Sequence, residues 1–232
     1  MDIGGYRLYR YILPLLNSNM FIILSGHSAL IIDPIDDEEA LQLLEREGVD
    51  TITAILTHEH YDHICGVNAL RDLMDRCKGG IKVYANSCCA AAVREPDSNL
   101  SRFFLALFIT RSDEDRMLAE KIFDMDYSCS ADISFEGDME LGWEELKLRL
   151  HSTPGHSPGS ICAEIYDRDG KLTALATGDS LVEGNSVITR LPNGSRSDYR
   201  NITRPYLESF GPDITVLPGH GEISPMDGLE LG

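Results

Sequence analysis

Apolar residues fall into short β-branched runs in two parts of the chain, and each part closes with apolar residues at helical spacing. The first runs, 6–16 and 20–24, are parted by Asn17-Ser18-Asn19, and a third, 29–32, ends at Asp33-Pro34. All three read as strands. Asp36 or Asp37 can cap a helix over 38–47, whose Leu41, Leu43 and Leu44 face a sheet and which Gly48 stops. Residues 52–56 predict a buried strand, 64–74 a helix and 81–85 another strand. The pattern is helical over 86–126, with Phe103, Phe104, Leu107 and Phe108 forming an apolar cluster assigned to packing. Strands return from Asp132, at 146–150, 161–165 and 172–176. A helix over 198–210 and a last apolar run, 214–217, complete the pattern. Two strand-rich halves with helices define an α/β or α+β chain, and periodicity goes no further.

The chemistry concentrates at the turn after strand 52–56, where Thr57–Gly66 reads Thr-His-Glu-His-Tyr-Asp-His-Ile-Cys-Gly. Three histidines and two carboxylates lie between His58 and His63. Turns at the carboxyl ends of strands commonly hold ligands in α/β folds. On extended backbone His58 and His60 point to one side and can reach one cation, while Asp62 and His63, at the bend, can reach a second. Imidazole suits zinc, iron and related metals, and a carboxylate adds charge and a hard donor. Further donors stand at the ends of later strands, each beside glycine: His156 in Thr153-Pro154-Gly155-His156, Asp179 in Thr177-Gly178-Asp179-Ser180, and His220 in Pro218-Gly219-His220-Gly221. One such turn is weak evidence, but four in series with matching donor types form a two-metal pattern.

His-x-His-x-Asp-His after an apolar strand resembles the signature of the metallo-β-lactamase superfamily, and the later turns extend the resemblance to Gly221. It implies an αββα four-layer sandwich, taken here as one domain over 1–232. Within the superfamily the chain is most similar to glyoxalase II-type hydrolases. That likeness implies a first metal on His58, His60 and His156, a second on Asp62, His63 and His220, and Asp179 bridging them. The implied cofactors are two divalent ions, zinc foremost, with iron or manganese as alternatives. Asp33 matches a carboxylate that steadies the metal turn, and Asn99-Leu100-Ser101 resembles a segment near the active site. The sequence runs twelve residues past His220, so the C-terminal helical domain that supplies glutathione-binding residues in full-length glyoxalase II is not expected here. Ile35 replaces the glycine usual after Asp-Pro, a change expected to alter only the local turn.

Charge narrows the substrate. A net charge of −18 opposes nucleic acid, whose binding needs clustered Lys and Arg. No apolar run is long enough to span a bilayer and no signal-peptide pattern opens the chain, so a cytoplasmic enzyme without a membrane partner is expected. The six cysteines lack zinc-ribbon spacing and read as reduced thiols. Against the acidic background, residues 189–204 carry Arg190, Arg196, Arg200 and Arg204 with the single acid Asp198. Either these form a solvated face, or Arg190 and Arg200 orient a small anionic substrate. The reading is a metal-bridged hydroxide attacking a small anionic thioester or ester, with Asp62 as catalytic base. The alternatives are a mononuclear iron persulfide dioxygenase, a phosphodiesterase or lactonase of the same superfamily, and a non-enzymatic binding protein. His27 is read as an exposed residue of a hairpin turn, His151 as structural and Cys65 as a buried helix thiol.

Overall fold

A computed structural model describes residues 1–182 and 186–226. Among them the strands are β1 (Asp2–Ile3), β2 (Tyr6–Ile12), β3 (Asn19–Ser25), β4 (Ser28–Ile32), β5 (Thr51–Ile55), β6 (Gly80–Asn86), β7 (Ile133–Phe135), β8 (Met139–Trp143), β9 (Leu146–Ser152), β10 (Ile161–Tyr166), β11 (Leu172–Gly178), β12 (Thr215–Pro218) and β13 (Ser224–Pro225). The helices are α1 (Glu38–Arg46), α2 (Tyr61–Ile64), α3 (Val67–Cys77), α4 (Ser87–Ala92), α5 (Ser101–Phe104), α6 (Asp113–Ile122), α7 (Arg196–Asp198) and α8 (Arg204–Leu207). A π-helical turn, Tyr199–Thr203, joins the last two.

β1 to β7 form one sheet in sequence order, and the second runs β13-β12-β11-β10-β9-β8. Both are mixed: β4, β5, β6 and β7 are parallel to one another, and β11 is parallel to β12. β3 explains why apolar runs are continuous. Met20 and Ile22 face the helix side while Phe21 and Ile23 face the other sheet, so successive side chains are buried on opposite faces. Ile23, Leu30, Ile32 and Ile55 of the first sheet meet Leu148, Leu150, Ile161 and Leu217 of the second. Leu44 of α1 and Leu73 and Met74 of α3 cover the first sheet's outer face, and Leu207 of α8 covers the second's at Leu175 and Val216. The result is the four-layer sandwich. No helix among the described residues is long and apolar enough to cross a membrane.

Strand register brings the functional turns together. Ile32 pairs with Ile55, and Gly178 with Pro218, so Asp33, Thr57, Asp179 and Gly219 all leave the same rim. The amide of Ile161 donates to the carbonyl of Thr57 at 2.7 Å and joins the two sheets there. Gly66 makes the metal turn possible, since a Cβ on it would lie 2.1 Å from the carbonyl oxygen of Ile35.

The structure corrects several expectations. The run 6–16 stops at Ile12, because Leu15 and Asn17 take positive φ (72° and 59°) and turn the chain. The helix expected over 64–74 is two helices, broken at Cys65 and Gly66. The helix expected over 198–210 starts at Arg196, where the Ser195 side chain caps it, and widens to π geometry before α8. Of the apolar cluster, Phe104 and Phe108 are buried but Phe103 and Leu107 are 52% and 57% exposed. Strands β7 and β8 are short and lie between the expected elements.

Candidate metal centre

Seven side chains converge at the rim. His58, His60 and His156 form one group whose donor atoms are all mutually within 4.8 Å, and Asp62, His63 and His220 form another. His60 Nδ1 and His156 Nε2 approach to 2.9 Å, and the Nε2 atoms of His63 and His220 to 3.3 Å. Asp179 lies between the groups: Oδ1 is 3.4 Å from His63 Nε2, while Oδ2 is 3.4 Å from His156 Nε2 and 3.3 Å from His220 Nε2. Asp62 Oδ2 lies 3.4 Å from His63 Nε2 and 3.5 Å from His220 Nε2.

The opposite ring nitrogens are tied down, which aims the inner ones. His63 Nδ1 donates to Asp33 Oδ2 at 3.1 Å, His156 Nδ1 to the carbonyl of Ile188 at 2.8 Å, and His220 Nδ1 to that of Leu16 at 3.1 Å. His58 Nδ1 faces the Thr57 hydroxyl at 3.1 Å. Asp33, held at φ 52°, also accepts the Thr57 amide and hydroxyl, both at 2.7 Å. Asp33, His58 and His63 satisfy the same distance criterion for a cation, but these bonds occupy both Asp33 oxygens, so Asp33 supports the cluster from behind.

This donor set fits a metal. Buried His58 Nε2 and Asp179 Oδ1 have no hydrogen-bond partner, and an unpaired buried polar atom is costly. Burial, then the neighbouring His63 and His60, holds His58 well below the ordinary histidine value. Burial and His156 bring His60 down to about 3. Burial opposes charge on His63 too, but Asp62, Asp179 and Asp33 outweigh it and carry that ring up to about 10. His220 is raised against burial, chiefly by Asp179. Asp179 is held well below the carboxylate range, because His220, His63 and His156 outweigh its burial. The cluster thus prefers neutral rings on one side, an ionised carboxylate between, and positive charge on the other, where protons supply what a cation would.

The sequence placed these seven residues on four turns, and the fold brings them together; Arg190 and Arg200 lie apart from them. Both arginines line a cavity of about 370 Å³ with Arg196 and Arg204. A second cavity, of about 300 Å³, opens onto His156, Asp179 and His220. Ser18 is the residue that sequence reasoning missed. Its fully buried hydroxyl donates to Asp62 Oδ2 at 2.5 Å, from a stretch that resembled a simple turn. Glu59, the unassigned acid of the motif, accepts from the Ser157 hydroxyl at 2.8 Å and ties the His58 turn to the His156 turn. Asn99 accepts the Tyr61 amide at 2.9 Å through its backbone carbonyl and so braces α2. His27 is exposed, His151 pairs with Asp138 at 2.7 Å and stacks on Tyr206, and all six cysteines are free.

A His/Asp cluster at the rim of an αββα sandwich defines a metal-binding protein of a known class. The profile of the Metallo-beta-lactamase superfamily matches residues 13–220, and the chain belongs to that superfamily. It is 26% identical over 207 residues to the Probable metallo-hydrolase YqgX of Bacillus subtilis, covering 89% of this chain and 86% of that protein. It is also 26% identical over 205 residues to a Hydroxyacylglutathione hydrolase of Anaeromyxobacter dehalogenans, covering 88% of this chain but 62% of that one. Among solved structures, the BLEG-1 B3 metallo-beta-lactamase superposes with a TM-score of 0.72 at 24% identity, over 96% of this chain and 95% of that one. TTHA1623 in a di-iron-bound form superposes with a TM-score of 0.67 at 23% identity, over 94% and 95%.

Proposed function

We propose that the chain is a binuclear metal-dependent hydrolase of a small anionic ester or thioester. The observation that carries this reading is Asp179, set between two three-donor groups and within 3.4 Å of a histidine in each. A single cation with an open position needs about three protein donors, and seven are present. His58, His60 and His156 would hold one ion, Asp62, His63 and His220 the other, and Asp179 would serve both. Zinc suits the imidazole-rich set best, with iron supported by the di-iron form of the like-folded TTHA1623.

When bound, paired cations polarise a carbonyl oxygen and bring the pKa of water towards neutrality. The chain's own residues do the rest. Ser18 fixes the Asp62 carboxylate against His63 and His220, where it orients the attacking water and takes its proton. Asp33 and the Ile188 carbonyl hold the outer Nδ1 protons of His63 and His156, so that the inner Nε2 atoms are the ones turned to a bound cation. Arg190 and Arg200 receive the charged part of the substrate. The hydroxyacylglutathione hydrolase relative supports the bond class; because this chain spans 62% of that protein, its glutathione moiety is not carried over.

The test is a substrate panel on protein stripped with chelator and reloaded with zinc, iron or manganese. Metal-dependent turnover of anionic thioesters or esters, above that of phosphodiesters, is expected. Phosphodiester turnover alone, or oxygen consumption with a persulfide on a single iron, would replace this reading.

A further inference from the structure

Acids outnumber bases in this chain by 38 to 20, and outside the cavity beside the metal centre most arginines find a carboxylate among the described residues, Arg7, Arg94 and Arg111 excepted. Arg10 pairs with Glu222 at 2.6 Å, Arg71 with Asp132 at 2.8 Å and Arg149 with Asp138 at 2.8 Å. That cavity gathers the others in one place. Arg190, Arg196, Arg200 and Arg204 all line it, and among the described residues Arg190, Arg196 and Arg200 enter no salt bridge. Arg204 is engaged with Glu208 at 2.8 Å. Arg196, Arg200 and Arg204 follow one another at four-residue spacing, an arrangement of like charges that opposes the helical conformation they occupy. The π-helical turn carrying Arg200 is of a kind found often at functional sites.

The arginine platform is seated directly on the turn that carries His156. The Ser195 amide donates to the carbonyl of Gly155 at 2.8 Å, and the Thr203 hydroxyl to that of Pro154 at 2.6 Å. A Cβ on Gly155, at φ 146°, would lie 2.5 Å from the Cβ of Tyr199, so helix and turn touch backbone to backbone. Ser186, Val187 and Ile188 line both the arginine cavity and the one opening onto His156, Asp179 and His220. The two cavities therefore share a wall, and its Ile188 carbonyl holds His156.

We infer that the arginine cavity binds a doubly charged oxyanion, the phosphate monoester or dicarboxylate end of a substrate whose scissile bond lies at the metal centre. One carboxylate is matched by one or two guanidinium forks, whereas three unpaired forks around about 370 Å³ call for more charge in a small volume. Placing the scissile bond at the metal centre rests on the hydrolase reading; the anion site does not.

The experiment titrates the metal-loaded protein with glycerol 3-phosphate and with succinate by calorimetry. Arg196→Ala and Arg200→Ala should each weaken the tighter probe about tenfold or more, and added salt should weaken it further. Arg111→Ala removes the same charge from an exposed position outside the cavity, and should change affinity less than twofold. Tighter phosphate assigns a phosphate monoester and tighter succinate a dicarboxylate, and either supports the site. Equal effects of all three variants, or binding indifferent to Arg196 and Arg200, would overturn it. Anion binding lost in the arginine variants of a protein that hydrolyses no ester would uphold the site and sink the hydrolase reading. Ester hydrolysis with arginine-independent anion binding would do the reverse.

Discussion

Replacing Asp33 by asparagine isolates the role of the carboxylate behind the metal cluster. Asparagine tolerates the positive φ of 52°, so the backbone need not move. If the amide oxygen stays on the Thr57 N–H, the new NH₂ faces the Thr57 hydroxyl and His63 Nδ1, now 2.7 and 3.1 Å from Oδ2. The hydroxyl can accept, but Nδ1 must give up its proton. The proton His63 keeps is then the one on Nε2, the atom directed at Asp62, Asp179 and His220, where it competes with a cation. The flipped amide instead opposes two donors at the buried Thr57 N–H, at about 1–3 kcal/mol. Metal-free stability should therefore fall by about 1–3 kcal/mol in urea unfolding. Affinity at the Asp62, His63, His220 site should fall about 10- to 100-fold, and that at the His58, His60, His156 site by clearly less. Chelator competition, fitted with two stepwise constants, reads both. Lost stability with both constants unchanged, or an equal drop at both sites, would refute the tautomer argument.

Asp62→Asn keeps the shape and one oxygen donor but loses the proton acceptor, so turnover should fall far more than bound metal; a proportional fall would leave Asp62 as a ligand only. Gly155→Ala forces a Cβ against Tyr199 at a φ that favours glycine, and should cost about 2–4 kcal/mol in urea unfolding; a smaller loss would mean that the arginine helix shifts freely. The metal-free protein should be most stable near the unperturbed histidine pKa. His60, lowered to about 3, withdraws stability as pH falls from about 6.5 towards 3, because only the unfolded chain takes the proton there. His63, raised to about 10, withdraws it as pH rises from about 6.5 towards 10, because the folded chain holds the proton longer. Unfolding measured across pH in chelator, with His60→Gln and His63→Gln each flattening one limb, checks both signs.

The metal turn was legible in the sequence because its donors fall within six consecutive positions at one strand end, where local geometry alone fixes their directions. His156, Asp179 and His220 were legible as strand-end turns with glycine. What holds these donors was not. Leu16 and His220 are 204 positions apart, and Ser18 and Asp62 are 44 apart; nothing in the Asn17-Ser18-Asn19 stretch marks Ser18 as a buried donor. Backbone carbonyls such as Ile188 carry no residue-type signal at all. The apolar cluster at 103–108 packs as predicted at Phe104 and Phe108 but not at Phe103 and Leu107, because helical spacing gives a face but not what covers it. The arginine spacing was visible, but only the fold brings Arg190 from its loop to the helix bearing Arg196 and Arg200.

The central claim is that two cations are held with Asp179 common to both. It is tested by elemental analysis and chelator competition on protein purified without chelator, beside Asp179→Ala. Two metals per chain are expected in the unaltered protein, and in Asp179→Ala both stepwise affinities should drop together, since one carboxylate faces His156 on one side and His63 and His220 on the other. A single metal under saturating supply, or a variant that loses one site while the other binds unchanged, would contradict the account.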